Sequence, residues 1–480
     1  MASTETKAVN GGNQEEKNEP PKLKWWQLSL LGVGCTIGTG FFLGSAISIK
    51  AGGPAALLSY AIAALVTLVV FDVLAKMTAE EPLEGSFRAY AKKAFGRWAG
   101  FSSGWVYWSS ELLIMGSQLT ALSLFTRHWL AGVPMWIFAA CYGALGLCVV
   151  VIGTKAFERV ENVFAVVKIA AILMFIVIAL LVVLNVIYVH GERHTFTDSV
   201  TPFAPFGFIG WWSSLLLAIY AFGGIEVMGL MAMRLQKPEE APKAGRVMLL
   251  LLAVIYIASL LLAILLVPWQ TFHSKQSPFM LALALFRLPW ALTVFNAVLI
   301  VAGFSTMVAS LFAVTKILVT LAKDKDAPTF FTRSWKGKPI AAISLTTGGL
   351  VLSTVFALLM PGRIYEYFTI AAGLMLLYNW LFILASSFKL LKLTVWGRVK
   401  SMAGMAVLLA AVAGCVVHHM SRPGFYISLA FAAVIGVLTL VMRKRWKGGA
   451  PSGPQQGRTE RFSPKQHSER LKSKIRAKSD

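Results

Sequence analysis

The sequence predicts an all-α membrane protein of twelve transmembrane helices with a polar arm at each end. Three observations carry that expectation. Of 480 residues, 57% are hydrophobic and 14% charged, and mean hydropathy is +0.68. A soluble globular chain runs nearer about a quarter charged. Apolar windows of the length that a hydrocarbon core of about 30 Å demands recur twelve times along the chain. Lysine and arginine also alternate from loop to loop, as the two faces of a bilayer require. Soluble enzymes, secreted disulfide modules and disordered scaffolds are excluded by this composition.

Residues 1–25 carry Lys7, Lys17, Lys22 and Lys24 with no apolar core, and form an arm rather than a signal peptide. The first five spans lie near 26–48, 54–75, 99–125, 133–153 and 161–187. The next five lie near 209–233, 246–267, 291–322, 340–360 and 364–386, and the last two near 402–419 and 424–442. The chain thus divides into 26–187, 209–386 and 402–442, followed by a basic, disordered tail over 443–480.

One set of loops, with the two termini, holds 36 of the 45 Lys and Arg residues. The other set holds only Lys50, Arg127, Arg193, Lys275, Arg287, Arg363 and Arg422. Both termini are therefore expected in the cytoplasm. The net charge of +23 sits mostly on that face, where it suits anionic lipid rather than nucleic acid. Cys35, Cys141, Cys148 and Cys415 fall inside apolar runs without metal-ligand spacing, and are read as small buried hydrophobes. Neither metal nor cofactor is expected.

Two spans carry glycine clusters at their middles. The first reads LGVGCTIGTGFFLGS, with Gly32, Gly34, Gly38, Gly40 and Gly44; the sixth reads AIYAFGGIEVMG, with Gly223, Gly224 and Gly229. Their separation by five spans is what an inverted five-plus-five repeat places in corresponding positions. Small residues also serve tight helix packing, and part of the first cluster fits that use. Packing does not account for Gly223-Gly224 running straight into Glu226. Unwound turns there would present N–H groups near Thr39 and Gly40 to an anion, and carbonyls near Tyr220, Ala221 and Phe222 to a cation. An anion seat facing a cation seat fits a zwitterion, of which an α-amino acid is the commonest small example.

These stretches resemble the bacterial amino-acid permeases of the amino acid–polyamine–organocation superfamily, nearest the aromatic, lysine and γ-aminobutyrate branch. The matching segments are IGTGFFLGSA (37–46), AGGPAALLSY (51–60), GSFRAYA (85–91), GFSSGWVYW (100–108), FAVVKI (164–169), AFGGIEVMG (221–229) and KPEEAPKA (237–244). The resemblance implies a leucine-transporter-like fold with helices one and six broken, and two extra helices after the repeat. It also implies proton-coupled uptake of an amino acid across a bacterial plasma membrane. The departures are specific: Gln118 replaces the branch's acidic residue, Lys76 and Arg234 stand where it has glutamates, and Val308-Ala309 replaces an Asn-Ser pair.

On this basis the substrate is expected against Ile37, Gly38, Thr39, Gly40, Gln118, Phe222, Gly223, Ile225 and Ser305, with Phe222 as an outer cap. Ionisable groups at bilayer depth are costly, so each is a functional candidate. Lys168 matches a family lysine that stands where sodium-driven relatives hold a sodium ion. Glu111 lies two turns before Gln118 on the same face; it either replaces the acid lost there or faces a hydrated vestibule. Glu226 is either a clamp for the unwound turn or part of the coupling. Lys168, Glu111 and Glu226 are the expected proton-coupling set. A salt bridge between Asp72 and Lys316 is a further option for a gate, and His418 and His419 read as an interface pair.

A transporter of an amino acid, its pocket apolar and suited to a neutral substrate, is the leading reading. A sensor that keeps the pocket without net transport is the alternative. An enzyme would need a converging nucleophile, base or metal cluster, which the spans lack, and an ATP-driven pump would need a phosphate-binding loop. The topology has a direct check: a cysteine placed after Gly449 is labelled by an impermeant reagent from the cytoplasm alone, and one near Ser199 from outside alone. Reversal at either position discards the twelve-span count.

Overall fold

The computed structural model describes residues 22–186, 202–274, 276–286, 288–334, 338–359, 364–417 and 421–448. The arm up to residue 21, the tail beyond 448, and His418 and His419 lie outside the described residues. Regular structure among the described residues is helical, because a backbone in hydrocarbon must satisfy its own polar groups. An isolated bridge joins Leu23 to Leu235 and pins the chain just before the first helix.

The first expected span is a set of three helices, α1 (Trp25–Thr36), α2 (Thr39–Phe42) and α3 (Gly44–Gly52). It is followed by α4 (Ala56–Glu80), a short amphipathic α5 (Phe87–Phe95), α6 (Arg97–Arg127), α7 (Met135–Ile152) and α8 (Thr154–Val183). The sixth span is α9 (Gly207–Tyr220) and α10 (Ile225–Ala232). Next come α11 (Ala241–Leu266), α12 (Pro278–Leu285), α13 (Pro289–Lys323) and α14 (Ile340–Leu359). The chain ends in α15 (Ile364–Leu390), α16 (Val395–Val417) and α17 (Arg422–Gly448). Each expected apolar window overlaps, among the described residues, one helix or an interrupted set. Among the described residues, nine helical stretches are long and apolar enough to cross a membrane. Helix α6 is not one of them. It carries Ser103, Ser109, Ser110, Glu111, Ser117 and Gln118, all buried.

The described residues up to Val437 form one compact unit, and those from Leu438 belong to a second, of which the end of α17 is described. In the first unit α6 packs most extensively, against α13 and α15, while α1 lies among α8, α10, α11 and α13. Helices α7 and α8 turn Leu145, Ile152, Val163, Val166 and Val177 outward. Such a surface suits lipid and would be a liability in water. Here one expectation is corrected. Cys35 and Cys415 are buried, but Cys141 and Cys148 are exposed. The cause is the inward face of α7, which is a narrow strip of Phe138, Ala139, Gly143, Gly146 and Val150 and leaves both thiols on the outer side.

An ion network with Arg88 and Asp326 at its buried centre ties α5 and α6 to the end of α13. Arg88, 1% exposed, reaches Asp324 at 2.8 Å and Asp326 at 3.0 Å, while Arg97 holds Asp326 at 2.7 Å and Lys92 holds Asp324 at 2.7 Å. A guanidinium can lie this deep because its charge is matched at contact. The Asp72–Lys316 gate is not formed. Asp72 pairs with Lys76 at 2.6 Å and Arg246 at 3.0 Å, and Lys316 lies over the Phe312 ring at 5.6 Å.

Candidate functional site

The site begins with the interruption between α1 and α2. Ile37 (φ −71°, ψ 103°) and Gly38 (φ −150°, ψ −158°) are extended, and the chain re-enters a helix at Thr39. Phe41 and Phe42 both return to the Gly38 carbonyl, at 3.1 and 3.0 Å. The N–H groups of Gly38, Thr39 and Gly40 therefore have no helical partner. On the other side of the gap, the Gly34 carbonyl has lost the donor that Gly38 would supply in a continuous helix. It accepts the Lys168 ammonium instead, at 2.6 Å.

The second interruption separates α9 from α10. The last turn of α9 tightens, with Phe222 N–H to the Ile219 carbonyl and Gly223 N–H to that of Tyr220, both at 3.0 Å. The Ala221 carbonyl accepts the Tyr256 hydroxyl at 3.3 Å. Gly224 then takes φ +113°, a left-handed conformation that glycine adopts without a steric penalty. Its N–H donates to one Glu226 oxygen at 3.0 Å, and Trp380 of α15 donates its indole N–H to the other. Both carboxylate oxygens of Glu226 are thus used to hold the turn.

The two interruptions touch backbone to backbone. A Cβ on Gly224 would lie 2.6 Å from the Cys35 carbonyl oxygen, and one on Gly38 would lie 2.5 Å from Thr306 Cγ2. Between them is a cavity of about 40 Å³, lined by Thr36, Gly38, Thr39 and Gly40, by Gly223 and Gly224, and by α6 and α13 side chains. That volume admits about two or three waters. Thr36 Oγ1 and Gln118 Oε1 are buried without a hydrogen-bond partner. Buried polar atoms are normally satisfied, so orphans in a cavity wall suit a polar ligand. Glu111 also lines the cavity, with the Ser310 and Tyr107 hydroxyls beside its carboxyl group.

The structure therefore brings Gly38, Thr39, Gly40, Gln118, Gly223 and Glu111 to one cavity wall. Ile37, Phe222 and Ile225 are fully buried behind it, and the Phe222 ring packs against Tyr256 with centroids 5.1 Å apart. Ser305 belongs to a second cluster. Its hydroxyl accepts from Lys168 at 2.7 Å and donates to Glu161 Oε2 at 2.6 Å, and all three side chains are wholly buried.

Glu161 was not among the expected residues, nor were Thr36 and Trp380. The signal for Glu161 was its spacing: it precedes Lys168 by seven residues, two turns, on the same helical face. The basic departures also acquire partners, Lys76 with Asp72 and Arg234 with Glu158.

The amino acid permease family model matches residues 27–416. The chain belongs to the amino acid permease family. The permease is 52% identical over 436 residues to the uncharacterized transporter YcgH of Bacillus subtilis, covering 90% of this chain and 98% of that one. It is 31% identical over 385 residues to the aromatic amino acid transport protein AroP of Corynebacterium glutamicum, with 77% and 81% covered. With the L-asparagine permease of Escherichia coli it shares 27% over 439 residues, covering 87% and 88%. The permease is a membrane protein of amino-acid transport.

Gly224→Ala would meet both a strained φ and a backbone clash. It should cost about 1–3 kcal/mol or more and lower the thermal unfolding temperature in detergent. Gly348→Ala, on α14 with nothing within 4 Å of the added carbon, should leave that temperature unchanged. Equal unfolding temperatures for the two variants would show that the breaks do not dock through Gly224.

Proposed function

We propose that the permease is a proton-coupled importer of a neutral amino acid, working by alternating access in the plasma membrane of a bacterium. It would span the membrane twelve times, as a leucine-transporter-like five-plus-five inverted repeat with two extra helices and both termini in the cytoplasm. One observation carries the reading: two interrupted helices meet around a small cavity whose walls hold unsatisfied N–H, hydroxyl and amide groups. The N–H groups near Gly38–Gly40 suit the substrate carboxylate, and the tightened end of α9 with its carbonyls suits the ammonium. From α6, Ile114 lines the cavity beside Glu111 and the uncharged Gln118.

For the coupling, Lys168 is the leading group, because it bridges α8 to the broken α1 and to α13 through Gly34 and Ser305. In the closed form a protonated Lys168 would hold these three elements together. Opening towards the cytoplasm would admit water, break the bridge and release the proton with the amino acid. Glu111 stands in the cavity wall, where it would take the role of the acid missing at Gln118. The hydrogen bonds of Glu226 support a clamp in preference to a proton carrier.

Purified protein in liposomes tests this reading. The wild type should accumulate labelled amino acid when a pH difference is imposed, and Lys168→Ala should abolish accumulation. Lys168→Arg should abolish it too, since arginine does not give up its proton. Accumulation at the wild-type level by either variant removes Lys168 from the mechanism. Substrate binding without flux in the wild type would favour a sensor.

A further inference from the structure

Lys168 does not end in the Gly34 carbonyl alone. Its ammonium donates to Ser305, and the single hydroxyl proton of Ser305 goes on to Glu161 Oε2 at 2.6 Å, in preference to the Gly34 carbonyl at 3.4 Å. The three groups come from α8 and α13, roofed by α1. Gly34 lets α1 sit this close, because a Cβ there would lie 2.8 Å from the Glu161 carbonyl oxygen and 2.9 Å from Oε2. Lys168, Ser305 and Glu161 are all 0% exposed, so no bulk water competes for these bonds. Glu161 Oε1 has no partner. A dry carboxylate with an unsatisfied oxygen is a costly arrangement, and neutralising it relieves that cost. Of the titratable groups, Lys168 and Cys35 of α1 face it. One turn earlier on α8, Glu158 is already taken by Arg234.

We propose that Glu161 is the acid that receives the proton of Lys168 through the Ser305 hydroxyl and passes it to the cytoplasmic side. In the transfer, an N–H bond of the Lys168 ammonium breaks as an O–H bond forms at Ser305. The original Ser305 O–H breaks as one forms at Glu161 Oε2. The ammonium–carboxylate pair becomes an amine and a carboxylic acid, with no net change in charge or atoms. The Glu161 backbone lies seven residues nearer the start of α8 than that of Lys168, about 10 Å along the helix, at the end expected to face the cytoplasm. The two charged groups themselves meet at the Ser305 hydroxyl, Lys168 2.7 Å and Glu161 2.6 Å from it. Water entering from that end would meet the Glu161 carboxyl, which loses the proton there. The inference rests on the reading of Lys168 as the coupling group.

The test uses the full chain in liposomes loaded with a pH-sensitive dye and given a radiolabelled mixture of the standard L-amino acids. Wild type, Glu161→Gln, Ser305→Ala, Ser305→Thr and Lys168→Ala are compared for proton entry and label accumulation under an imposed pH difference. Glu161→Gln and Ser305→Ala should lose proton entry and accumulate no more label than liposomes without a pH difference. Ser305→Thr, which keeps the hydroxyl, should retain both. A purely structural Glu161 would lower the amount of folded protein but leave the protons moved per amino acid unchanged. Wild-type proton entry by Glu161→Gln or by Ser305→Ala overturns the proposal, and so does loss of coupling by Ser305→Thr in folded protein. If Glu161→Gln fails to insert, the two Ser305 variants decide alone. Wild-type coupling in Lys168→Ala would instead overturn the reading beneath it.

Discussion

A helix interrupted inside hydrocarbon leaves carbonyls and N–H groups that only protein or a ligand can satisfy, and the rest of this structure follows from that constraint. At the first break the Gly34 carbonyl is taken by Lys168, while Gly38, Thr39 and Gly40, whose N–H groups have no helical partner, line the cavity. At the second break Glu226 and Trp380 hold the turn at Gly224. The turn of the second break is thus held by side chains, whereas N–H groups of the first have no helical partner. Glycine at 34, 38 and 224 is needed because each backbone lies where a side chain would strike a neighbour.

Charge in the interior follows the same economy. Arg88 is tolerated because Asp324 and Asp326 meet it at contact distance, in a network that braces α5, α6 and α13. Lys168 is held more loosely, by one carbonyl and one hydroxyl, with the compensating carboxylate of Glu161 a hydroxyl away. A tightly matched charge rigidifies, whereas one matched through a shared proton can change its state during a cycle.

Much of this was legible in the sequence. Glycine clusters in spans one and six gave the position of both interruptions, because few other residues permit such close backbone contact. Glu111 was placed on the same helical face as Gln118, two turns before it, and both line the cavity. Glu161 escaped because the apolar window for its span opened at that residue, which made it look like a boundary charge. The helix in fact begins at Thr154, so Glu161 lies two turns inside. Phe222 was named as an outer cap, and its placement differs. Sequence position put it beside the break, but its ring packs against Tyr256 and does not line the cavity. The outward-facing thiols of Cys141 and Cys148 show the same limit: an apolar run looks alike whether it meets protein or lipid.

The central claim is that the cavity recognises both ends of an α-amino acid, with backbone groups of the two broken helices as the seats. Thermal unfolding of the purified permease against matched sets of ligands tests it most directly, since a ligand that binds only the native state raises its stability. Each set would hold an L-amino acid, the amine that lacks its carboxylate and the acid that lacks its ammonium. The account predicts that at least one amino acid raises the unfolding temperature while its amine and its acid do not. Equal stabilisation by either truncated ligand, or none by any amino acid, would contradict it.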